Sequence, residues 1–130
     1  CGDRAVSRAF HFFDENERVD REAEALRKGD VEMFLREVTA SGNSSFKYLQ
    51  NIFASVDPKE QGMVLGLYTA EKVLNGRGAC RVHGGGFAGT IQAFVPNDLL
   101  ENFIAEMEHL FGEGSCYNLF IRPLGGTKVL

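Results

Sequence analysis

The order of patterns along this chain predicts an α+β domain, a small antiparallel sheet covered on one face by several helices. Three features lead there. Between residues 3 and 74 apolar residues recur at helical spacing. Between residues 77 and 95 two runs of period-two alternation flank a cluster of glycines, which is a hairpin signal. Beyond residue 96 a helical run is followed by renewed alternation, so the order reads helices first and then β-β-α-β-β.

The first helix is expected from about Asp3, its cap, to Lys28. Ala5, Ala9, Phe12, Asn16, Val19, Ala23 and Leu26 fall at alternating four- and three-residue steps. They form one apolar stripe, interrupted by Asn16 and widened by Phe10 and Phe13. Lys28-Gly29-Asp30 ends it with a basic turn, a C-terminal glycine and a fresh N-cap. Asp30 to about Ala40 reads as a second helix with Val31, Phe34, Leu35 and Val38 inward, stopped by the polar run Ser41-Gly42-Asn43-Ser44-Ser45. A short helix from Ser45 to about Phe53 offers Phe46, Leu49, Ile52 and Phe53 to the core. Ser55-Val56-Asp57-Pro58 is a turn, because proline fixes its own φ and keeps Asp57 extended. A helix from roughly Lys59 to Leu74 then points Met63, Leu67, Ala70, Val73 and Leu74 inward, and Asn75-Gly76 closes it.

In the hairpin, Cys80 and Val82 alternate with Ala79, Arg81 and His83, while Ile91, Ala93 and Val95 alternate with Thr90, Gln92 and Phe94. The turn holds Gly84, Gly85, Gly86 and Gly89. One or two residues at positive φ suffice for a hairpin, so these glycines exceed the requirement. They fit a backbone that another group approaches closely, through exposed N–H groups, or else a loose turn between strands. Pro96 ends the second strand, and Asn97 or Asp98 caps a helix that buries Leu99, Leu100, Phe103, Ile104, Met107, Leu110 and Phe111 and solvates Glu101, Glu106 and Glu108. Tyr117, Leu119 and Ile121 alternate as a third strand, and Gly125-Gly126 turns into a last strand, Thr127 to Leu130.

At 130 residues, 44% hydrophobic and 25% charged, the chain suits one soluble domain with a core of its own. Its 14 basic against 18 acidic residues give a net charge of −4 with no basic block, which argues against nucleic acid as a partner. No apolar run has the length of a membrane span, which argues against a membrane. Cys1, Cys80 and Cys116 fit no ligand spacing, and the latter two read as buried thiols suited to a reducing cytoplasm. His11, His83 and His109 show no metal-ligand spacing either, so no metal site is expected. Strand parity puts Cys80 and His83 on opposite faces, against a Cys–His nucleophile. The chain begins with Cys, as expected of a piece cut or processed from something longer.

Arg81-Val82-His83-Gly84-Gly85-Gly86-Phe87-Ala88-Gly89 resembles the third motif of the GHMP small-molecule kinases. Within that superfamily it is most similar to galactokinase, whose version runs Arg-Met-Thr-Gly-Gly-Gly-Phe-Gly-Gly; His83 and Ala88 depart from it. Arg8-Ala9-x-His11-x-x-x-Glu15-x-x-Arg18 resembles the segment that opens the galactokinase C-terminal domain, with a structural role expected for its polar residues. Leu26-Arg27-Lys28-Gly29-Asp30-Val31-Glu32-Met33-Phe34 and the closing Pro123 to Leu130 are similar too, whereas Gly42 and Phe46 replace the usual residues of Ser-His-x-Ser-Leu. Pro58-Lys59-Glu60-Gln61-Gly62 lacks the Glu-x-Asp of many galactokinases. The resemblance spans nearly the whole chain in order.

That resemblance implies a ferredoxin-like fold with extra helices, and residues 1–130 as a single domain, the C-terminal domain of a galactokinase-like protein. Phosphoryl transfer needs a phosphate cradle, Mg²⁺ ligands and activation of the accepting hydroxyl. The chain has no Gly-x-x-x-x-Gly-Lys-Ser/Thr, and the turn has no Lys or Ser after it to serve as one. In the family the phosphate loop ending in Ser-Ser-Ala and the catalytic Asp belong to the N-terminal domain, so no catalytic residue is expected here. Gly84, Gly85, Gly86, Phe87, Ala88 and Gly89 are expected to form one wall of the substrate and nucleotide site, with Phe87 anchoring the turn in its own domain. His83 is either a polar contact to a sugar hydroxyl or phosphate, or a packing residue. ATP and Mg²⁺ are the implied cofactors of the full-length enzyme, with none expected on this chain alone. The implied partners are its own N-terminal kinase domain and galactose or a related sugar. The docking face leaves the isolated chain open to self-association. The rival expectation is a free-standing small-molecule-binding or interaction module without kinase activity, which the departures at Gly42, His83 and Ala88 keep open.

Overall fold

Periodicity sets the first element: helix α1 runs Asp3–Lys28, the full span of its stripe, and stops where Gly29 adopts φ 71° and its N–H bonds back to Ala25 and Leu26. The computed structural model describes residues 2–87 and 89–121. Gly2, not Asp3, occupies the N-cap, and no side chain caps the helix. Helix α2 (Val31–Ser44) is capped by Asp30, whose Oδ1 accepts the Met33 N–H at 2.9 Å. It continues through the serine-rich stretch expected to break it. One five-residue π turn, Ser45–Leu49, follows in place of the longer helix, and Gln50 leaves it at φ 56°. Helix α3 (Gly62–Leu74) begins after the Asp57–Glu60 turn, three residues later than expected. Strands β1 (Ala79–His83) and β2 (Thr90–Phe94) pair antiparallel, Val82 opposite Ile91 and Cys80 opposite Ala93. A 3₁₀ turn at Asn97–Leu99 opens helix α4 (Leu100–Phe111). Asp98 does not cap it; both its carboxylate oxygens take the Arg77 guanidinium, at 2.7 and 2.9 Å.

These elements make the α+β class expected from the sequence, with one difference in layering: helices meet both faces of the hairpin. On the face carrying Cys80, Val82, Ile91 and Ala93 lie α3 and α4. Ala70, Leu74, Cys80, Phe103 and Met107 form the main apolar cluster, and Ile52, Met63 and Val82 a second beside it. Toward the other face, α2 brings Phe34 edge-on to Phe94, ring centres 5.1 Å apart. Gly42 permits this approach, since a Cβ there would lie 3.0 Å from Arg81 Cβ and 3.2 Å from the Cys80 carbonyl oxygen.

Several expectations fail on packing: Val31, Phe46, Leu110 and Phe111, expected inward, are exposed, and two larger differences stand beside them. The apolar stripe of α1 does not face the core: Phe10, Phe12 and Phe13 are 60–65% exposed, and Val19 and Leu26 are exposed with them. Instead α1 turns His11, Glu15, Arg18 and Glu22 toward its neighbours. The third strand is also missing from residues 117–121. Cys116 packs against the main cluster, but Tyr117, Leu119, Phe120 and Ile121 are 82–91% exposed and unpaired. Alternation becomes a strand only where an edge is offered, and the described hairpin does not take this segment up. The expected last strand, Thr127–Leu130, lies outside the described residues. Among the described residues no helix is long and apolar enough to cross a membrane.

Candidate glycine-turn site and its buried support

The turn that joins β1 to β2 is held from one side. The Phe87 N–H donates to the Asn51 backbone oxygen at 2.6 Å, and Asn51 Nδ2 donates to the Gly85 oxygen at 3.3 Å. Gly84, Gly86 and Phe87 take positive φ of 67°, 77° and 56°. Gly86 lies flush on Asn51: a Cβ there would overlap the Asn51 carbonyl oxygen and sit 2.7 Å from its Nδ2. Gly84 and Gly85 face open space, with nothing within 4 Å of an added Cβ. The turn is therefore tied down at Gly86–Phe87 and bare at Gly84–Gly85. Four glycines serve two purposes, a close internal approach and an exposed backbone.

Phe87 does not anchor the turn through its ring, which is 47% exposed; its backbone N–H does so. His83 ends β1 opposite Thr90 with its side chain exposed beside the bare glycines. Gly89 packs against the Gly86 carbonyl, and Ala88 lies outside the described residues. The structure thus gathers His83, Gly84 and Gly85 at one exposed tip and sets Gly86 and the Phe87 N–H inward. The residue that sequence reasoning missed is Asn51, only 1% exposed. The signal was present: Gln50-Asn51 is a polar pair inside the apolar run Leu49 to Phe53. A cleft of about 470 Å³, lined by Arg4, Phe46, Gln50, Ile52, Phe53 and Ser55, opens beside the same segment.

Behind the hairpin, the polar residues that α1 turns inward form a network with α2 and β1. Glu15 bonds Arg18 and accepts the Ser41 hydroxyl at 2.5 Å, and Ser41 in turn accepts from Arg81. Arg81 lies 3.5 Å from Glu15, while Glu37 takes Arg21 at 3.0 Å and faces Arg18 Nε at 3.6 Å. His11 Nδ1 meets Ser44 Oγ at 2.9 Å, and Arg8 and Ser7 donate to the Leu49 and Tyr48 carbonyls at 3.1 and 2.8 Å. Every quoted residue of the Arg8–His11–Glu15–Arg18 pattern except Ala9 is spent on such fastening, in line with the structural role expected for it. Burial pulls Arg81 below its usual range, against Glu22, and lifts Glu22 above the usual carboxylate range, against Arg81 and Arg18. Burial also pushes the Cys80 thiol up to about 11, helped by Glu71, so it is inert as a nucleophile at neutral pH. Among the described residues no group of three or more His, Cys, Asp or Glu side chains is placed to hold a metal ion.

The fold and this tip define an α+β domain that presents a glycine turn at one end of a two-stranded hairpin. The chain is similar to galactokinases of Limosilactobacillus reuteri, strain DSM 20016 and subspecies reuteri strain JCM 1112, each 37% identical over 118 residues. The match covers 89% of this chain and 28% of each relative, so the chain spans little more than a quarter of the length of the curated relatives it matches. No protein-family model matches the chain. No solved structure matches it.

Proposed function

We propose that residues 1–130 are the C-terminal domain of a galactokinase-like sugar kinase, which transfers a phosphoryl group from Mg-ATP to the anomeric hydroxyl of galactose. The observation that carries this reading is the 37% identity to galactokinases sustained over 118 residues, 89% of the chain. In this reading Gly84, Gly85, Gly86, Phe87, Ala88 and Gly89 form one wall of the substrate and nucleotide site, with Gly84 and Gly85 offering bare backbone and His83 a polar contact at its rim. In this reading the N-terminal kinase domain supplies the phosphate loop, the catalytic Asp and the Mg²⁺ ligands. Its role is positioning: closing one side of the site raises the effective concentration of the reacting groups and excludes water.

The exposed apolar stripe of α1 fits the same reading. A helix buries its apolar stripe in the finished protein, and here the stripe faces out while polar residues face in. The N-terminal kinase domain is the partner that covers it. The protein is cytoplasmic in this reading, where the free thiols of Cys80 and Cys116 stay reduced. The test is to size the native polypeptide by blotting, then to assay galactose-dependent ADP release from it and from residues 1–130. A band well above 14.4 kDa that phosphorylates galactose, with no turnover by the short chain, is expected. A native band at 14.4 kDa without galactose-dependent ADP release overturns the reading.

A further inference from the structure

We infer that Asn51 is the positioning residue of the glycine turn: it holds the turn from beneath so that Gly84 and Gly85 present their backbone to the bound sugar and nucleotide. The inference rests on the sugar-kinase reading above. Three independent contacts converge on this one residue. Its backbone carbonyl takes the Phe87 N–H, its side-chain amide reaches the Gly85 carbonyl, and its flank leaves no room for a side chain at Gly86. No other described residue makes a backbone or side-chain hydrogen bond to residues 84–87.

The burial of Asn51 sharpens the argument. At 1% exposed it is the largest polar side chain fully enclosed in the described structure, and its Oδ1 makes no hydrogen bond among the described residues. A buried amide costs free energy unless it is hydrogen-bonded, and here the only side-chain bond among the described residues is the one from Nδ2 to the Gly85 carbonyl. An apolar residue of similar size would leave the Gly85 carbonyl without its side-chain partner. The donor at Nδ2 is thus the feature that distinguishes Asn here from Leu. It acts on the turn and touches no substrate itself.

The test uses the full-length polypeptide with Asn51→Asp and Asn51→Ala. Asn51→Asp keeps the shape and the backbone carbonyl but removes the donor at neutral pH. Both variants should lower kcat by about tenfold or more while KM for galactose changes by less than about threefold, the pattern of an interaction lost in the transition state. In Asn51→Asp the deficit should shrink as pH falls, because a protonated carboxyl can donate to the Gly85 carbonyl; in Asn51→Ala it should not. Loss of packing alone would give no such pH dependence. Hydrogen exchange followed by mass spectrometry should show the peptide spanning the turn protected in wild type and exposed in both variants. Wild-type kcat in both variants, with wild-type galactose phosphorylation intact, overturns the inference and leaves the kinase reading standing. An unprotected turn in wild type overturns it even if the variants fail to fold. No galactose phosphorylation by wild type overturns the kinase reading, and with it the kinetic role, while the exchange data still decide whether Asn51 holds the turn.

Discussion

A Cβ on Gly86 would overlap the Asn51 carbonyl oxygen, at a φ of 77°, whereas a Cβ on the neighbouring Gly85 would meet nothing within 4 Å. Gly86→Ala should therefore cost about 1–3 kcal/mol of stability, from left-handed strain and displaced backbone together. A urea midpoint equal to wild type would count against the contact. Ser41 is a second point of dependence, fully buried and shared between the Glu15 carboxylate and the Arg81 guanidinium. Ser41→Ala should cost about 1–3 kcal/mol by leaving charged groups short of a partner, readable in the same unfolding experiment. His11 gives a pH signature. Burial, then the charges of Arg18 and Arg81, pull it below the ordinary imidazole value of 6.5, against Asp14. The folded chain then binds fewer protons at His11 than the unfolded chain. The stability it contributes is present above the unfolded value and is lost as pH falls from there toward the lowered folded value. Wild type should lose stability from about pH 7 to pH 5 more steeply than His11→Gln, and parallel curves would contradict the assignment. Glu22, raised by burial, has the opposite sign and is common to both proteins.

Helix α1 shows what periodicity can and cannot reveal. Its ends were legible, because seven stripe positions, apolar except for Asn16, run to a basic turn and a glycine. Which side faces inward was not. Ion pairs to Glu37 and Arg81 and the bond to Ser41 select that side, and their partners lie at least 16 positions away along the chain. The same partners explain why α2 runs on through Ser41 and Ser44. Serine is a poor interior helix residue when its hydroxyl competes for the backbone, but here both hydroxyls are engaged by α1 and β1. The outward stripe yields a prediction at this level. Residues 1–130 should self-associate through Phe12 and Phe13, whose rings meet edge-on at 5.6 Å. The double variant Phe12→Ser/Phe13→Ser should weaken association about tenfold or more in sedimentation equilibrium. Equal association of both proteins would show that the stripe is not the contact.

Taken together, the described chain is a hairpin gripped between two helical pairs, with its glycine tip bare on one side and fastened by Asn51 on the other. The hairpin itself was readable nearly to the residue, since alternation and the glycine cluster mark both strands; β2 ends at Phe94, one position short of the expected Val95, and the register comes from the structure. The bracing of its tip was not, because Asn51 reaches it across 34 positions. The exposed Tyr117–Ile121 segment has strand alternation that the described hairpin does not use, and with the α1 stripe it is apolar surface left for the proposed N-terminal kinase domain to cover. Gly85 separates that reading from a purely structural one, since it carries no packing burden. In the full-length polypeptide, Gly85→Val should lower kcat/KM for galactose phosphorylation by about tenfold or more while leaving the unfolding midpoint where it is in wild type. Wild-type kcat/KM in that variant would contradict the proposal that this turn forms a wall of a sugar-kinase site.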